Sequence, residues 1–544
     1  MSRQQAQLTI ALSPTGAAIS PLIYGVNNEH DPARLKLLGA TVNRLGGTPW
    51  SALNGPIRAT NSGNDYYFHN YDSIGGIPND PAGFHQRTSG VGGTTMLTMP
   101  LLDKVAKDTK SYAYSVRKYG QQKDVLEGDA GNGVKPDGSL IATNDPADAY
   151  TANTPALQET WLRSLPGSIP LFGLDNEPML WHNSHRAAHP EGARMQEVIA
   201  ATKTYATKVR SVLPNAAILG PEEWNYEGCF TSGYDAKRAK SLSYNPASYP
   251  DRKANGGQDW IPVYVRALKE HTDQTGQRLI DYLSVHFYPH NATGQTLLED
   301  KSDTPAIQAL RLRATRSLWD PSYVSEDYIK DFGPPNNTIR LIPRLKQWAA
   351  VFPGTKTALT EYSFGPDNLL VSALAQVEAL GIFGREGLDL ACRWPSPNPS
   401  SPVGLAFRLF RNYDEKGGQF GTLVQSTSLS GSSADTLSAF AALDEKRTAL
   451  TLILVNKSLT QSLSLKIDTL QGDTAFRSTL FVRSPFTLAA MAYRLEGAGT
   501  SAAQLTRLPD PAVVQNTSLS LSLPAQSATL LIVYPKARRI PKNS

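Results

Sequence analysis

Cysteine is scarce in this chain: the 544 residues include two, Cys229 and Cys392, far apart in the sequence. They could pair or remain two buried thiols, and no zinc-binding or redox spacing surrounds them. Long apolar runs are missing as well. No stretch approaches the ~18 apolar residues of a membrane-spanning helix, which argues against a membrane partner. Charge of one sign is also lacking: 53 basic residues against 48 acidic ones leave a net +5. The one basic run, Lys536-Ala537-Arg538-Arg539, lies near the carboxyl end, so a nucleic-acid partner is not expected. An open doubly wound sheet is the rival architecture to the one read below, although no glycine-rich phosphate loop follows the first apolar strand. The opening residues Met1-Ser2-Arg3-Gln4-Gln5-Ala6-Gln7 lack the apolar core of a signal peptide.

What is present is an alternation. Short apolar segments at 22–27, 40–45, 94–100, 169–174, 216–220, 281–289, 355–362 and 388–395 each end in polar residues. Helical patterns lie between them, among others at 31–38, 193–212, 260–272, 342–351 and 370–383. Eight strands alternating with helices predict an α/β chain built on a closed (β/α)8 TIM barrel over residues 22–424. After Phe420-Gly421 the texture changes to a Ser/Gly/Thr-rich stretch and then to period-two apolar residues: Leu450, Leu452 and Leu454; Leu463, Leu465 and Ile467; Leu519, Leu521 and Leu523. Leu8, Ile10 and Leu12 alternate in the same way. A second, smaller all-β sandwich is therefore expected from both termini, residues 1–21 plus 425–544.

A closed parallel barrel carries its chemistry at the carboxyl ends of its strands. Those ends hold Asn27, Asn28, Arg44, Glu177, Glu223, His286, Tyr288, Glu361 and Trp394, which should face one mouth. Leu171-Phe172-Gly173-Leu174-Asp175-Asn176-Glu177-Pro178 delivers one carboxyl group from a buried strand; a helix cap is the other reading of Asp, Asn and Glu before Pro. Thr360-Glu361-Tyr362 ends the seventh strand, which lies near the fourth around a closed ring of eight. Two carboxyl groups facing each other across such a mouth are the minimal machinery of glycoside hydrolysis, provided their surroundings hold one neutral and the other ionised. Arg44 could neutralise the second as a bidentate partner or serve a structural ion pair. His286 and Tyr288 share a face, with Tyr288 expected near Glu361. Trp50, Tyr66, Tyr67, Trp224, Trp319 and Trp394 are candidates to stack on flat sugar faces.

The segment Leu174-Asp175-Asn176-Glu177-Pro178-Met179-Leu180-Trp181-His182-Asn183-Ser184-His185-Arg186 resembles the signature of glycoside hydrolase family 44, a clan A family of endo-acting β-glucanases and xyloglucanases. Ile23-Tyr24-Gly25-Val26-Asn27, Asn43-Arg44-Leu45-Gly46-Gly47, Val285-His286-Phe287-Tyr288-Pro289, Arg316-Ser317-Leu318-Trp319-Asp320-Pro321, Leu359-Thr360-Glu361-Tyr362 and Arg411-Asn412-Tyr413-Asp414 follow in the family's order. The resemblance implies a retaining mechanism with Glu177 as general acid/base and Glu361 as nucleophile. It gives Asn176 the amide that bonds the sugar's 2-hydroxyl. The loops Thr48-Pro49-Trp50-Ser51-Ala52-Leu53-Asn54 and Pro221-Glu222-Glu223-Trp224-Asn225-Tyr226 depart from the family pattern, which bears on substrate preference rather than on the reaction.

The expected function is an endo-acting hydrolase of β-1,4-glucan backbones, with xyloglucan and carboxymethylcellulose-type polymers as leading substrates. Such polymers stay outside cells, so a secreted, monomeric protein whose leader is not part of this sequence is expected. The chemistry requires no cofactor, although a structural ion such as calcium on carboxylate-rich loops stays open. Two alternatives are a non-catalytic polysaccharide-binding protein and a metal-dependent hydrolase. The second would use His182, His185 and His189, whose spacing matches one helical face; but the zinc-protease glutamate is missing and Pro190 ends the segment.

Overall fold

The computed structural model describes residues 6–472, apart from 14 and 127, together with 489–497, 503–509 and 518–534. The basic run Lys536-Ala537-Arg538-Arg539 and most of the opening segment lie outside the described residues. Strand β1 (Ala6–Leu12) precedes a closed barrel of eight parallel strands: β2 (Gly25–Asn27), β3 (Val42–Leu45), β4 (Thr94–Met99), β5 (Leu171–Leu174), β6 (Ala217–Glu223), β7 (Tyr282–Phe287), β8 (Lys356–Tyr362) and β9 (Leu390–Arg393). Each pairs with its sequence neighbours, and β9 closes on β2 through Cys392 opposite Gly25 and Arg393 opposite Val26.

Period-two alternation fills the barrel in layers. Val42, Met96, Leu171, Leu219, Tyr282, Ala358, Leu390 and Cys392 pack together as an apolar plug. Two residues further along β3 comes Arg44, and four further along β7 comes His286, both fully buried. The apolar plug therefore supports a polar layer at the carboxyl ends. Three register shifts re-aim the side chains there: β6 slips against β7 between Pro221 and Glu223, β7 slips against β8 at Val285/His286, which brings His286 opposite Glu361, and β8 slips against β9 between Leu359 and Tyr362. Bulges of this kind add a residue to one strand and turn the following side chains to the other face.

Helices α1 (Pro32–Leu38), α2 (Pro81–Ser89), α3 (Pro155–Ser164), α4 (Met195–Val212), α5 (Trp260–Thr275), α6 (Pro305–Ala314), α7 (Leu341–Ala349), α8 (Leu370–Glu386) and α9 (Pro402–Arg411) belong to the connections around the barrel. Helix α8 differs from the rest because every residue from 370 to 384 is buried. An apolar circumference needs cover on all sides, and a second sheet supplies it.

That sheet has nine strands in the order β15 (Gln504–Arg507), β14 (Ala489–Glu496), β17 (Ser527–Tyr534), β12 (Leu450–Asn456), β11 (Leu437–Leu443), β10 (Leu423–Ser430), β1, β13 (Leu463–Gly472) and β16 (Ser518–Leu523). It folds over its own core, in which Leu8, Ile10 and Leu12 of β1 meet Leu452, Leu454, Leu465 and Leu531. Its outer face, with Phe440, Ile453, Val455, Leu530 and Ile532, joins the large cluster around α8. Gly381 permits the close approach, because a Cβ there would fall 2.4 Å from the Phe440 ring. Beside it Glu378 and Lys457 form a buried ion pair at 2.8 Å, and Ser438 bonds to both. Loss of one partner would strand a buried charge.

Candidate active site

Glu177 follows β5 at a backbone φ of 50° and occupies the N-cap position of the 3-10 turn Pro178–Leu180. Its carboxyl group makes no capping bond; instead Oε1 lies 2.7 Å from His286 Nδ1. The helix-cap reading of this acid therefore fails at the side chain. Asp175, two residues earlier, holds the loop in place. Its buried carboxyl group accepts from Ser51 Oγ, the Trp181 indole and the backbone N–H groups of Leu101, Leu102 and Asn176, at 2.5–3.0 Å.

Glu361 is gripped at both oxygens. Arg44 Nη1 donates to Oε1 at 2.6 Å and the Tyr288 hydroxyl donates to Oε2 at 2.7 Å. Arg44 is not the bidentate partner of one carboxylate. Its fork is shared among Glu361, Asn27 Oδ1 (3.0 Å), Asn176 Oδ1 (3.0 Å) and Glu222 Oε2, which lies 3.2 Å from Nε. The bond to Arg44 consumes the carbonyl of Asn176 and leaves its NH2 as the group free to donate.

Glu177, His286 and Glu361 each bring one nitrogen or oxygen within 4.8 Å of the others. Among the described residues this is the group whose geometry could hold a metal ion. Arg44 and Tyr288 hold the two oxygens of Glu361, and His286 Nδ1 holds Glu177 Oε1, so the donor set reads as a proton-bonded cluster. Burial raises the Glu177 carboxyl above its ordinary range, in opposition to its bond with His286. For His286, burial alone would favour the neutral ring, but Glu361, Glu177 and Glu222 together lift it to about 9. Burial likewise opposes ionisation of Glu222, and the facing His286 ring and the charge of Arg44 overcome it, holding its carboxyl below the usual range. The site thus offers one carboxyl group biased toward its proton beside another clamped by a guanidinium.

Glu223 does not face the mouth as expected from alternation. The bulge in β6 turns Glu222 inward and Glu223 outward, where Glu223 accepts from the backbone of Met179 and Trp224 (2.9 Å each) and from the Trp260 indole (2.8 Å). The three histidines also fail to converge. His182 Nδ1 bonds to Met179 O, His185 Nε2 to Thr48 O and His189 Nε2 to Glu197, because the helix that would align them, Trp181–Ser184, lasts a single turn.

Of the aromatic candidates, Trp50, Tyr66 and Trp394 line a cavity of about 720 Å³ together with Asn28, Asp65 and Tyr71. A second cavity of about 470 Å³ meets it at Asn28, His30, Ile77 and Trp394 and reaches Asn27, so the two form one groove. Trp224 stacks on Tyr288 at 5.7 Å, the ring that holds Glu361. Tyr67 turns to Asp124, bonding it at 2.8 Å. Trp319 lies elsewhere: Arg385, in the last turn of α8, covers its ring at 4.3 Å and also lies over Phe440 of the sandwich, at the junction of the two sheets. Both cysteines are buried free thiols. Glu222 and Asp175 escaped the sequence reading; the Asp-Asn-Glu run hinted at Asp175, but only the bulge reveals Glu222.

Residues 59–291 match the sequence profile of glycoside hydrolase family 44. The whole chain resembles CelM2, a bifunctional glucanase-xylanase protein from a metagenome library, at 32% identity and a TM-score of 0.87, over 98% of this chain and 99% of that one. The chain belongs to glycoside hydrolase family 44. This family 44 chain is also 29% identical to endoglucanase A of Paenibacillus lautus over 494 residues, 86% of its own length, and it spans 66% of that relative. The fold extends to a Paenibacillus polymyxa xyloglucanase of family 44 solved with xyloglucan, at 21% identity and a TM-score of 0.76 over 97% and 99% of the two chains. No helix among the described residues of this family 44 chain is long and apolar enough to cross a membrane.

Proposed function

We propose that this chain is a retaining, endo-acting glycoside hydrolase that cleaves β-1,4-linked glucan backbones, foremost xyloglucan and soluble cellulose derivatives. Glu361 attacks the anomeric carbon while Glu177 protonates the departing glycosidic oxygen; Glu177 then takes a proton from the water that releases the glycosyl-enzyme. The observation that carries this reading is the approach of Glu177 and Glu361, one carboxyl oxygen of each lying within 4.8 Å of the other. Inverting pairs stand roughly 6.5–9.5 Å apart to admit a water, whereas double displacement needs about 5–5.5 Å. The contrast in their surroundings supports the division of roles. Arg44 and Tyr288 stabilise an anionic, aligned Glu361, and burial favours a protonated Glu177.

The groove passing Trp394 suits an internal stretch of polymer rather than a chain end, and the xyloglucan-bound relative supports a branched glucan as ligand. In this reading residues 22–424 form the catalytic barrel and residues 1–21 with 425–544 its β-sandwich support. The enzyme works outside the cell, as a monomer and without a cofactor. Reducing-end release and viscosity on xyloglucan, carboxymethylcellulose, lichenan, mannan and xylan test the proposal. Fast viscosity loss on xyloglucan or carboxymethylcellulose is expected. Binding of oligosaccharide with no new reducing ends would leave the non-catalytic alternative.

A further inference from the structure

Glu222 is a third carboxylate that the two-glutamate chemistry does not use. It is completely buried beneath the pair, with Oε2 3.2 Å from Arg44 Nε and 3.7 Å from His286 Nε2, and neither of its oxygens has a hydrogen-bond partner within ordinary reach. Room for it is built into the neighbouring strand: a Cβ on Gly173 would lie 3.1 Å from the Glu222 carboxyl carbon and 2.5 Å from Met96 Cε. An unpaired buried carboxylate is costly unless cations face it, and here two do. The other ionisable groups facing this layer are Glu177, Tyr288 and Glu361, the Cys392 thiol, and the Tyr264 hydroxyl from α5. Burial keeps Cys392, Tyr264 and Tyr288 neutral.

We propose that Glu222 is a positioning residue whose fixed negative charge keeps His286 an imidazolium and Arg44 aligned while charge passes from Glu361 to Glu177. The inference rests on the reading of those two glutamates as the reacting pair. Before attack, the cations Arg44 and His286 are balanced by Glu361 and Glu222, with Glu177 protonated. On attack the Glu361 Oε–C1 bond forms and the C1–O bond to the leaving sugar breaks. The departing oxygen takes the Glu177 proton, so Glu361 becomes a neutral ester and Glu177 a carboxylate. His286 lies 2.7 Å from Glu177 and 3.6 Å from Glu361, so one imidazolium serves both states. Each state is neutral only if Glu222 is charged; without it, a buried site holds a surplus cation and His286 sheds its proton.

The test compares wild type, Glu222→Gln and Glu222→Asp. In 15N-histidine NMR of the resting enzyme, with His286 assigned by its loss in His286→Asn, wild type should keep both ring nitrogens protonated to about pH 8 and titrate near 9. Glu222→Gln should titrate at least about one pH unit lower. The alkaline limb of its kcat profile should move down with it while KM changes less than about threefold, and Glu222→Asp, which keeps the charge, should restore the limb. A wild-type His286 that titrates near or below about 6.5 would overturn the inference even if Glu222→Gln fails to fold. So would a Glu222→Gln profile that is merely scaled down at every pH. An imidazolium in a wild-type protein inactive on every polysaccharide would count against the proposed function instead, because the NMR readout needs no turnover.

Discussion

Tyr288 donates its hydroxyl to Glu361 Oε2 at 2.7 Å, and Trp224 stacks on the donating ring. The bond fixes the direction of one carboxylate lone pair, while Arg44 holds the other oxygen. Hydrogen bonds to charged groups contribute about 1.5–3 kcal/mol. Tyr288→Phe should therefore lower kcat roughly 10- to 100-fold with little change in KM, measured by steady-state kinetics on a soluble glucan.

Glu177→Gln and Glu361→Gln should each reduce turnover at least about a hundredfold, because each removes a group that acts only in the transition state. Azide separates their roles. It should partly rescue Glu177→Ala, by attacking the glycosyl-enzyme in place of water without needing a base and giving a β-glycosyl azide, and yield an α-glycosyl azide from Glu361→Ala. Product analysis by NMR reads the outcome, and exchanged products would reverse the assignment.

Trp394 lines both cavities of the groove, whereas Trp319 lies under Arg385 at the sandwich. Fully burying a large apolar side chain is worth about 1.5–3 kcal/mol, part of which a stacked indole gains on covering a sugar face. Trp394→Ala should raise KM for polymer about tenfold. Trp319→Ala should leave KM unchanged and lower the melting temperature, which differential scanning calorimetry would detect.

Burial holds the His185 imidazole down to about 4, although Nε2 bonds to Thr48 O. An unfolded histidine titrates near about 6.5. Between these values the unfolded chain binds the additional proton, so this contribution is complete above about pH 6.5 and is lost as pH falls toward 4, by up to ~3 kcal/mol. Urea melts at pH 7 and pH 4.5 should show a smaller acid loss for His185→Gln, which keeps a donor for Thr48 O and cannot charge.

The barrel was legible in the sequence because each buried strand reads as an apolar run that stops at a polar residue. All eight expected strands overlap the observed ones, and Glu177 and Glu361 were found as strand-end acids. Period-two reasoning broke where the register slips. It assigned Glu223 to the mouth, but the extra residue in β6 gives that place to Glu222. Trp319 was misplaced because indole hydrophobicity serves a packed junction as well as a sugar face. The histidine spacing gave a helical face that needs more than one turn of helix to exist. The shared fork of Arg44, on β3, follows from the ends of β2, β5, β6 and β8 meeting it at one point, which spacing along a single strand does not encode.

The most direct test of the central claim is the anomeric configuration of the first product, followed by 1H NMR during hydrolysis of a soluble β-1,4-glucan oligosaccharide. If Glu177 and Glu361, one oxygen of each within 4.8 Å of the other, act by the proposed double displacement, the β-anomer should appear first and mutarotate slowly to the equilibrium mixture. Initial release of the α-anomer would contradict the account.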